Sequence, residues 1–201
     1  FTGSQYLEIP YNAALNTPEF TLSLWVYATD LGTTPARVIE ICVSLNRDGT
    51  NKGYSLRIYN GEFNVLFARS NGNFRSWNGA SSAATLNTWT HIVMKYDGST
   101  ISLYKNGISV HNESITYNLN LSSEFRFGTE DPATTTNNFH GNLYDFRYYK
   151  RALTAQEIDA IYTRSALLGE EILHIPFNTS DPTKSTTHSS VGTTLTPINN
   201  T

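Results

Sequence analysis

The sequence predicts an all-β protein, an antiparallel two-layer sandwich with one short helix near residues 154–163. Three observations carry this. Residues 87–110, NTWTHIVMKYDGSTISLYKNGISV, read as three strands joined by two tight turns. Residues 20–27, FTLSLWVY, are apolar on nearly both faces, as a strand inside a two-layer sandwich must be. One helix start is marked, the capping box Thr154-Ala155-Gln156-Glu157. At 201 residues and 39% hydrophobic content, the chain can bury the core of one larger all-β domain.

Taken in order, residues 6–9 form a first short strand, followed by a loop holding Asn12, Asn16 and Pro18. Strand 20–27 comes next, then 37–45, then the polar loop 46–53. A hairpin of 54–59 and 63–68 turns at Asn60-Gly61. Residues 70–87 are rich in Asn, Gly, Ser and Ala and read as irregular, broken by Phe74 and Trp77. From Trp89 to Tyr96 the chain alternates, with Ile92, Met94 and Tyr96 on one face and His91, Val93 and Lys95 on the other. Asp97-Gly98 and Asn106-Gly107 supply residues that tolerate positive φ, so the chain reverses at each. Strands 125–128 and 143–149 complete the set. In the helix, Thr154 and Glu157 can each satisfy an amide of the other, Leu153 and Ile158 stand at the staple positions, and Ile158, Ile161 and Tyr162 make a narrow apolar stripe.

Charge and cysteine content exclude several classes. Net charge is −3 with 15% charged residues, which offers no field for a polyanion, so nucleic acid is not an expected partner. No apolar run approaches the ~20 residues of a membrane span, and no membrane insertion is expected. The chain starts at Phe1 in mid-pattern, without a signal peptide, and reads as a mature or excised piece. The single Cys42 excludes an internal disulfide and reads as a small buried hydrophobe. Sequons at Asn112, Asn120, Asn178 and Asn199 permit an extracellular setting without requiring one.

Enzymatic chemistry is not expected. A glycoside hydrolase needs two carboxylates flanking the scissile bond. The longer strands carry isolated acids, Glu40, Glu62 and Asp145, and the close pair Glu157 and Asp159 lies on the helix, where Glu157 is already a cap. The five His residues lack metal spacing, and no Ser/His/Asp set has a recognisable context.

FTLSLWVY, GYSL, TWTHIVMKYDGSTISLYKNG and FHGNLYDFRYYKRALTAQEIDAIY, in this order and spacing, resemble the laminin-G/pentraxin-like branch of the concanavalin A-like lectin/glucanase sandwiches. The resemblance covers roughly residues 1–162 and is strongest at Arg147 to Ile158. It implies an antiparallel two-sheet jelly roll, spanning 1–168, of a kind found in secreted or cell-surface proteins that bind glycans or other proteins. It departs from the family at Tyr144, where a second acidic residue is usual, and pentraxins carry a disulfide that Cys42 alone cannot form. The resemblance also implies a calcium site, with Asp48 from one loop and Glu130, Asp131, Asn137 and Asn138 from the loop before the closing strand. Carboxylates and amide carbonyls would supply the six to eight oxygens calcium takes. Against it, Glu130-Asp131-Pro132 also reads as an ordinary solvated turn. By the same resemblance Trp25 and Trp89 are core tryptophans. Trp77, in a polar surface-like stretch with Phe74, Arg75 and Asn78, is the expected ligand-binding aromatic, the other reading being strand packing.

The segment 169–201 resembles the opening strand of another such domain. Residues 172–177 are expected as a strand beside the one near Tyr6, with Leu173, Ile175 and Phe177 on one face. It closes its own sandwich, begins or complements a neighbouring one, or is a passive linker. The expected function is a non-enzymatic extracellular recognition module for carbohydrate or adhesion, calcium-assisted, with a glycan or cell-surface protein as partner. The alternative is a structural block of a fibre, repeat array or virion surface, self-associating by strand exchange through 170–201.

Overall fold

Asn60 and Gly61 take φ of 52° and 80°, and Asn106 and Gly107 take 50° and 78°. Both central residues are positive, as a two-residue type I′ hairpin requires. The computed structural model describes residues 1–32, 38–46, 52–69, 72–116, 123–133, 136–164, 168–177, 188–189 and 196–199. Among them the strands form two seven-stranded sheets. In order across the first sheet come β14 (Thr196–Asn199), β1 (Gln5–Ile9), β10 (Phe125–Phe127), β3 (Val38–Asn46), β4 (Lys52–Tyr59), β5 (Glu62–Ala68) and β6 (Phe74–Ala83). Across the second come β13 (His188–Ser189), β12 (Glu171–Ile175), β11 (Gly141–Tyr149), β2 (Phe20–Ala28), β7 (Trp89–Tyr96), β8 (Thr100–Lys105) and β9 (Ile108–Ser114). Every pairing between these strands is antiparallel, which makes the molecule the expected jelly-roll sandwich.

Aromatic rings tie the two layers together. Phe20 of β2 stacks on Tyr54 of β4 with centroids 4.7 Å apart, and Phe127 of β10 meets Phe146 of β11 edge-on at 4.8 Å. Between them Leu22, Leu56, Ile58, Val65, Ile92 and Met94 are fully buried. The inward residues follow the period of two that the sequence shows, because each strand has its other face turned away from the core.

The helix α1 (Ala155–Arg164) begins where its capping box places it. The Glu157 amide donates to Thr154 Oγ1 at 3.2 Å, and the Thr154 amide donates to the Glu157 carboxylate at 2.8 Å. Leu153, Ile158 and Ile161 pack on Val93, Tyr104 and Tyr149, so the helix covers part of the outer face of the second sheet. Among the described residues no helix is long and apolar enough to cross a membrane.

Two features differ from the sequence reading. Within 70–87, the described stretch Phe74–Ala83 is the edge strand β6, paired with β5 through Trp77↔Val65 and Asn78↔Asn64. Its small polar composition suggests a loop, but a β5 neighbour and one inward tryptophan are enough to hold it in the sheet. The strand at 171–175 lies beside β11, through Phe146↔Ile175 and Tyr148↔Leu173, and not beside β1, whose neighbour is β14. Its apolar face is as read: Leu173, Ile175 and Phe177 are buried in the main core.

Candidate functional site

The residues expected to bind ligand lie on β6 and do not share a face. Trp77 is only 7% exposed, packs edge-on against Phe67 at 6.3 Å, and belongs to the core. Arg75 lies over its ring at 5.9 Å and reaches Glu113 of β9 at 3.9 Å, closing the edge of the sandwich. Asn78 points the other way, hydrogen-bonded to Glu62 and Asn64. Phe74, on that outer face, is half-buried. Trp77 therefore offers no free ring face, since inward parity with Val65 places it among the core side chains.

Four of the expected calcium residues, Glu130, Asp131, Asn137 and Asn138, are described, and each makes bonds within the protein through its backbone or side chain. Asp131 Oδ1 accepts the Ala133 amide at 2.9 Å, folding its own turn. The Glu130 carbonyl accepts from Arg126, and the Asn137 carbonyl accepts the Glu40 amide at 3.0 Å. Asn138 is buried, with its amide nitrogen on the Gly3 carbonyl at 2.7 Å. Asp48 lies outside the described residues. Among the described residues no three His, Cys, Asp or Glu side chains gather to hold a metal ion.

Two exposed aromatics that touch each other, Trp89 and Tyr144, stand on the outer face of the second sheet. Outward positions of β2, β7 and β11 form two cross-strand rows, Asn142–Tyr27–Trp89 and Tyr144–Trp25–His91. Trp89 is 43% and Tyr144 45% exposed, where the family pattern put Trp89 in the core. The alternation of β7 already gives the answer: Trp89 has the parity of His91 and Val93, opposite to Ile92 and Met94. The Trp89 and Tyr144 centroids are 6.3 Å apart with planes at 71°, and Tyr27 meets Trp89 at 5.5 Å and 53°.

The floor beneath is rigid. Gly141 at φ 139° has no room for a Cβ, which would stand 2.0 Å from the Tyr27 carbonyl oxygen. That close approach seats the start of β11 directly against β2. Tyr162 of α1 stacks on His91 at 5.8 Å and contacts Trp25 at 5.8 Å, so the helix roofs those two residues and leaves Tyr144 and Trp89 open. His91 is fully buried, with Nε2 2.9 Å from Ser23 Oγ. Burial pushes its imidazole down to about 4, against the pull of nearby Asp145.

Further along the same face Arg147 donates twice to the Asp145 carboxylate, at 2.9 and 2.7 Å, and His174 of β12 lies 2.8 Å from it. Burial alone would raise the Asp145 carboxyl, but the bonds from His174 and Arg147 outweigh it and hold the group below the usual carboxylate range. Asp145 sits in the left-handed region at φ 55°, where β11 shifts register against β2. The bulge turns its side chain onto β12, a structural role.

A model of the Laminin_G_3 family, described as the concanavalin A-like lectin/glucanases superfamily, matches residues 1–159. Among curated proteins none matches the chain. The structure resembles a heptameric SAP-like pentraxin from Limulus polyphemus, with a TM-score of 0.63 and 11% identity over 95% of this chain and 88% of that one. The binding domain of Paraclostridial Mosquitocidal Protein 1 gives 0.63 and 17% over 80% of this chain and 41% of that one. The binding domain of botulinum neurotoxin serotype G gives 0.57 and 21% over 73% and 36%. The chain thus spans well under half of each toxin binding domain, and at these identities the likeness is one of fold.

Proposed function

The chain belongs to the concanavalin A-like lectin/glucanases superfamily, and from that premise we propose a non-enzymatic extracellular recognition module that binds carbohydrate on the outer face of β2, β7 and β11. The observation that carries this reading is the pair Trp89 and Tyr144, nearly half exposed on a rigid sheet. Large aromatic rings left in water beside one another mark interaction surfaces. A ring face accepts the C–H face of a sugar, while the Tyr144 hydroxyl and the exposed Asn142 amide meet sugar hydroxyls. Two of the similar structures are toxin binding domains, which agrees with recognition as the role.

The test is a glycan array probed with the parent protein and Trp89→Ala. The variant is expected to lose its sugar signals while keeping its far-ultraviolet circular dichroism and denaturant midpoint, since Trp89 lies outside the core. Unchanged sugar signals from Trp89→Ala would overturn this placement of the site.

A further inference from the structure

We infer that the Trp89–Tyr144 corner takes a neutral sugar at the end of, or singly along, a soluble glycan chain, and neither the flat face of a crystalline polysaccharide nor an acidic glycan. The inference rests on the reading just proposed and names the ligand class.

Shape gives the first half. A crystalline polysaccharide presents a flat sheet of pyranose faces, and a surface that grips it needs its rings in one plane. Here Tyr27 and Trp89 are inclined by 53° and Trp89 and Tyr144 by 71°. With centroids 5.5 and 6.3 Å apart, the rings make a corner. A sugar stacked on the Trp89 face would present its hydroxyl edge toward Tyr144, and a flat sheet would touch one ring only. Trp89 and Tyr144 stand on strands each hydrogen-bonded to β2, so the backbone that carries the corner is already ordered and little backbone entropy is lost on binding.

Electrostatics gives the second half. The positions flanking the rings are Asn142, Thr29 and Thr88, all exposed and uncharged. Of the charged strand residues on this face, Asp145 and Arg147 are buried and bonded to each other and to His174, and Lys95 stands at the far end of β7 from Trp89 with its ammonium over the Tyr104 ring. A sialic acid carboxylate or a sulfate would leave water without a cation to meet it here, which costs more than the contact returns. Neutral hydroxyls lose only water-like hydrogen bonds and regain them from amide and phenol groups. The donors are side chains, so the corner needs no metal.

Isothermal titration with neutral gluco-, manno- and galacto-oligosaccharides, sialylated and sulfated oligosaccharides, and sedimentation with microcrystalline cellulose and chitin, test this directly. A neutral oligosaccharide is expected to bind with an affinity unchanged by chelator and by added salt. Trp89→Ala should weaken it about tenfold or more, the loss typical of an aromatic anchor, and Tyr144→Phe by less than Tyr144→Ala. Preference for the acidic sugars with a steep salt dependence, or retention on the crystalline powders through Trp89, overturns the inference while the sugar-binding reading stands. Absence of binding to any of these carbohydrates overturns both.

Discussion

His91 shows at the scale of one residue how the surface is built. Its Nε2 meets Ser23 Oγ, its backbone amide donates to Asn106 Oδ1 at 2.9 Å, and its Nδ1 has no hydrogen-bond partner among the described residues. A second proton would create a buried, unpaired N–H under Tyr162, so the folded imidazole titrates near 4, far below its ordinary 6.5. As pH falls through 6.5, the unfolded chain takes up a proton that the folded chain refuses until near 4. Stability from this residue therefore drops across that window, by on the order of 3 kcal/mol, and levels off below it. The loss tied to Asp145, whose folded carboxyl titrates below the usual range, comes at lower pH, so the two separate. Urea unfolding at several pH values should show the slope between 6.5 and 4 in the parent and its near absence in His91→Gln. An identical slope in both would remove His91 from the account. The tryptophans divide in the same way. Trp77→Ala should cost roughly 3–5 kcal/mol as a core truncation, whereas Trp89→Ala should stay within about 1 kcal/mol, both read by denaturant midpoint. Equal losses would contradict the placement of one of them. The parity of β7 was legible and put Trp89 outside, but the family pattern pulled the reading the other way. Trp77 was hidden by its polar neighbours, since only the β5 register turns it inward.

At the scale of elements, what is local is also readable. An Asn-Gly pair sets its own φ values, and a capping box closes on itself. Thr154 supplies both an accepting hydroxyl and a donating amide to Glu157, while Arg151 holds the same carboxylate from outside at 2.9 and 2.6 Å. Thr154→Ala removes the hydroxyl alone and should cost about 1 kcal/mol, seen as a melting temperature lower by about 2–4 °C in a chain of this length. A melting temperature unchanged by Thr154→Ala would mean that the Arg151 pair and the packing of Leu153 and Ile158 anchor the helix unaided. Non-local pairings were less readable. Nothing within 171–175 says whether β1 or β11 is its neighbour, because either edge would bury Leu173 and Ile175. The choice is made by Asp145, whose bulge on β11 aims a carboxylate at His174, and by the Asp145 amide, which donates to the Pro176 carbonyl at 3.1 Å. In the loop ahead of β11, Asp131 Oδ1 accepts the Ala133 amide across the turn that Pro132 begins.

At the scale of the whole molecule, the last described strands close both sheets. β12 and β13 extend the second sheet past β11, and β14 lies against β1 at the edge of the first. Within one chain, β12 thus takes the place beside β11 and β14 the place beside β1. Phe177 anchors the end of β12: it takes φ 47°, unusual for a bulky residue, with its ring edge-on to Phe127 at 5.4 Å and to Phe1 at 6.2 Å. Leu173, Ile175 and Phe177 leave water together, on the order of 1.5–3 kcal/mol each, and His174 adds its bond to Asp145. Their sum is comparable with the whole net stability of an ordinary domain, about 5–15 kcal/mol. Deleting 170–201 would open a trough in the core, leave Asp145 and Arg147 half-covered, and turn β11 into a bare edge able to pair with other chains. The truncated chain is therefore expected to melt far below the parent and to aggregate in sedimentation. Chains ending at 168 that remain monomeric and melt at the parent temperature would mean that the sandwich stands without β12, and that the buried face of Leu173, Ile175 and Phe177 contributes little to it.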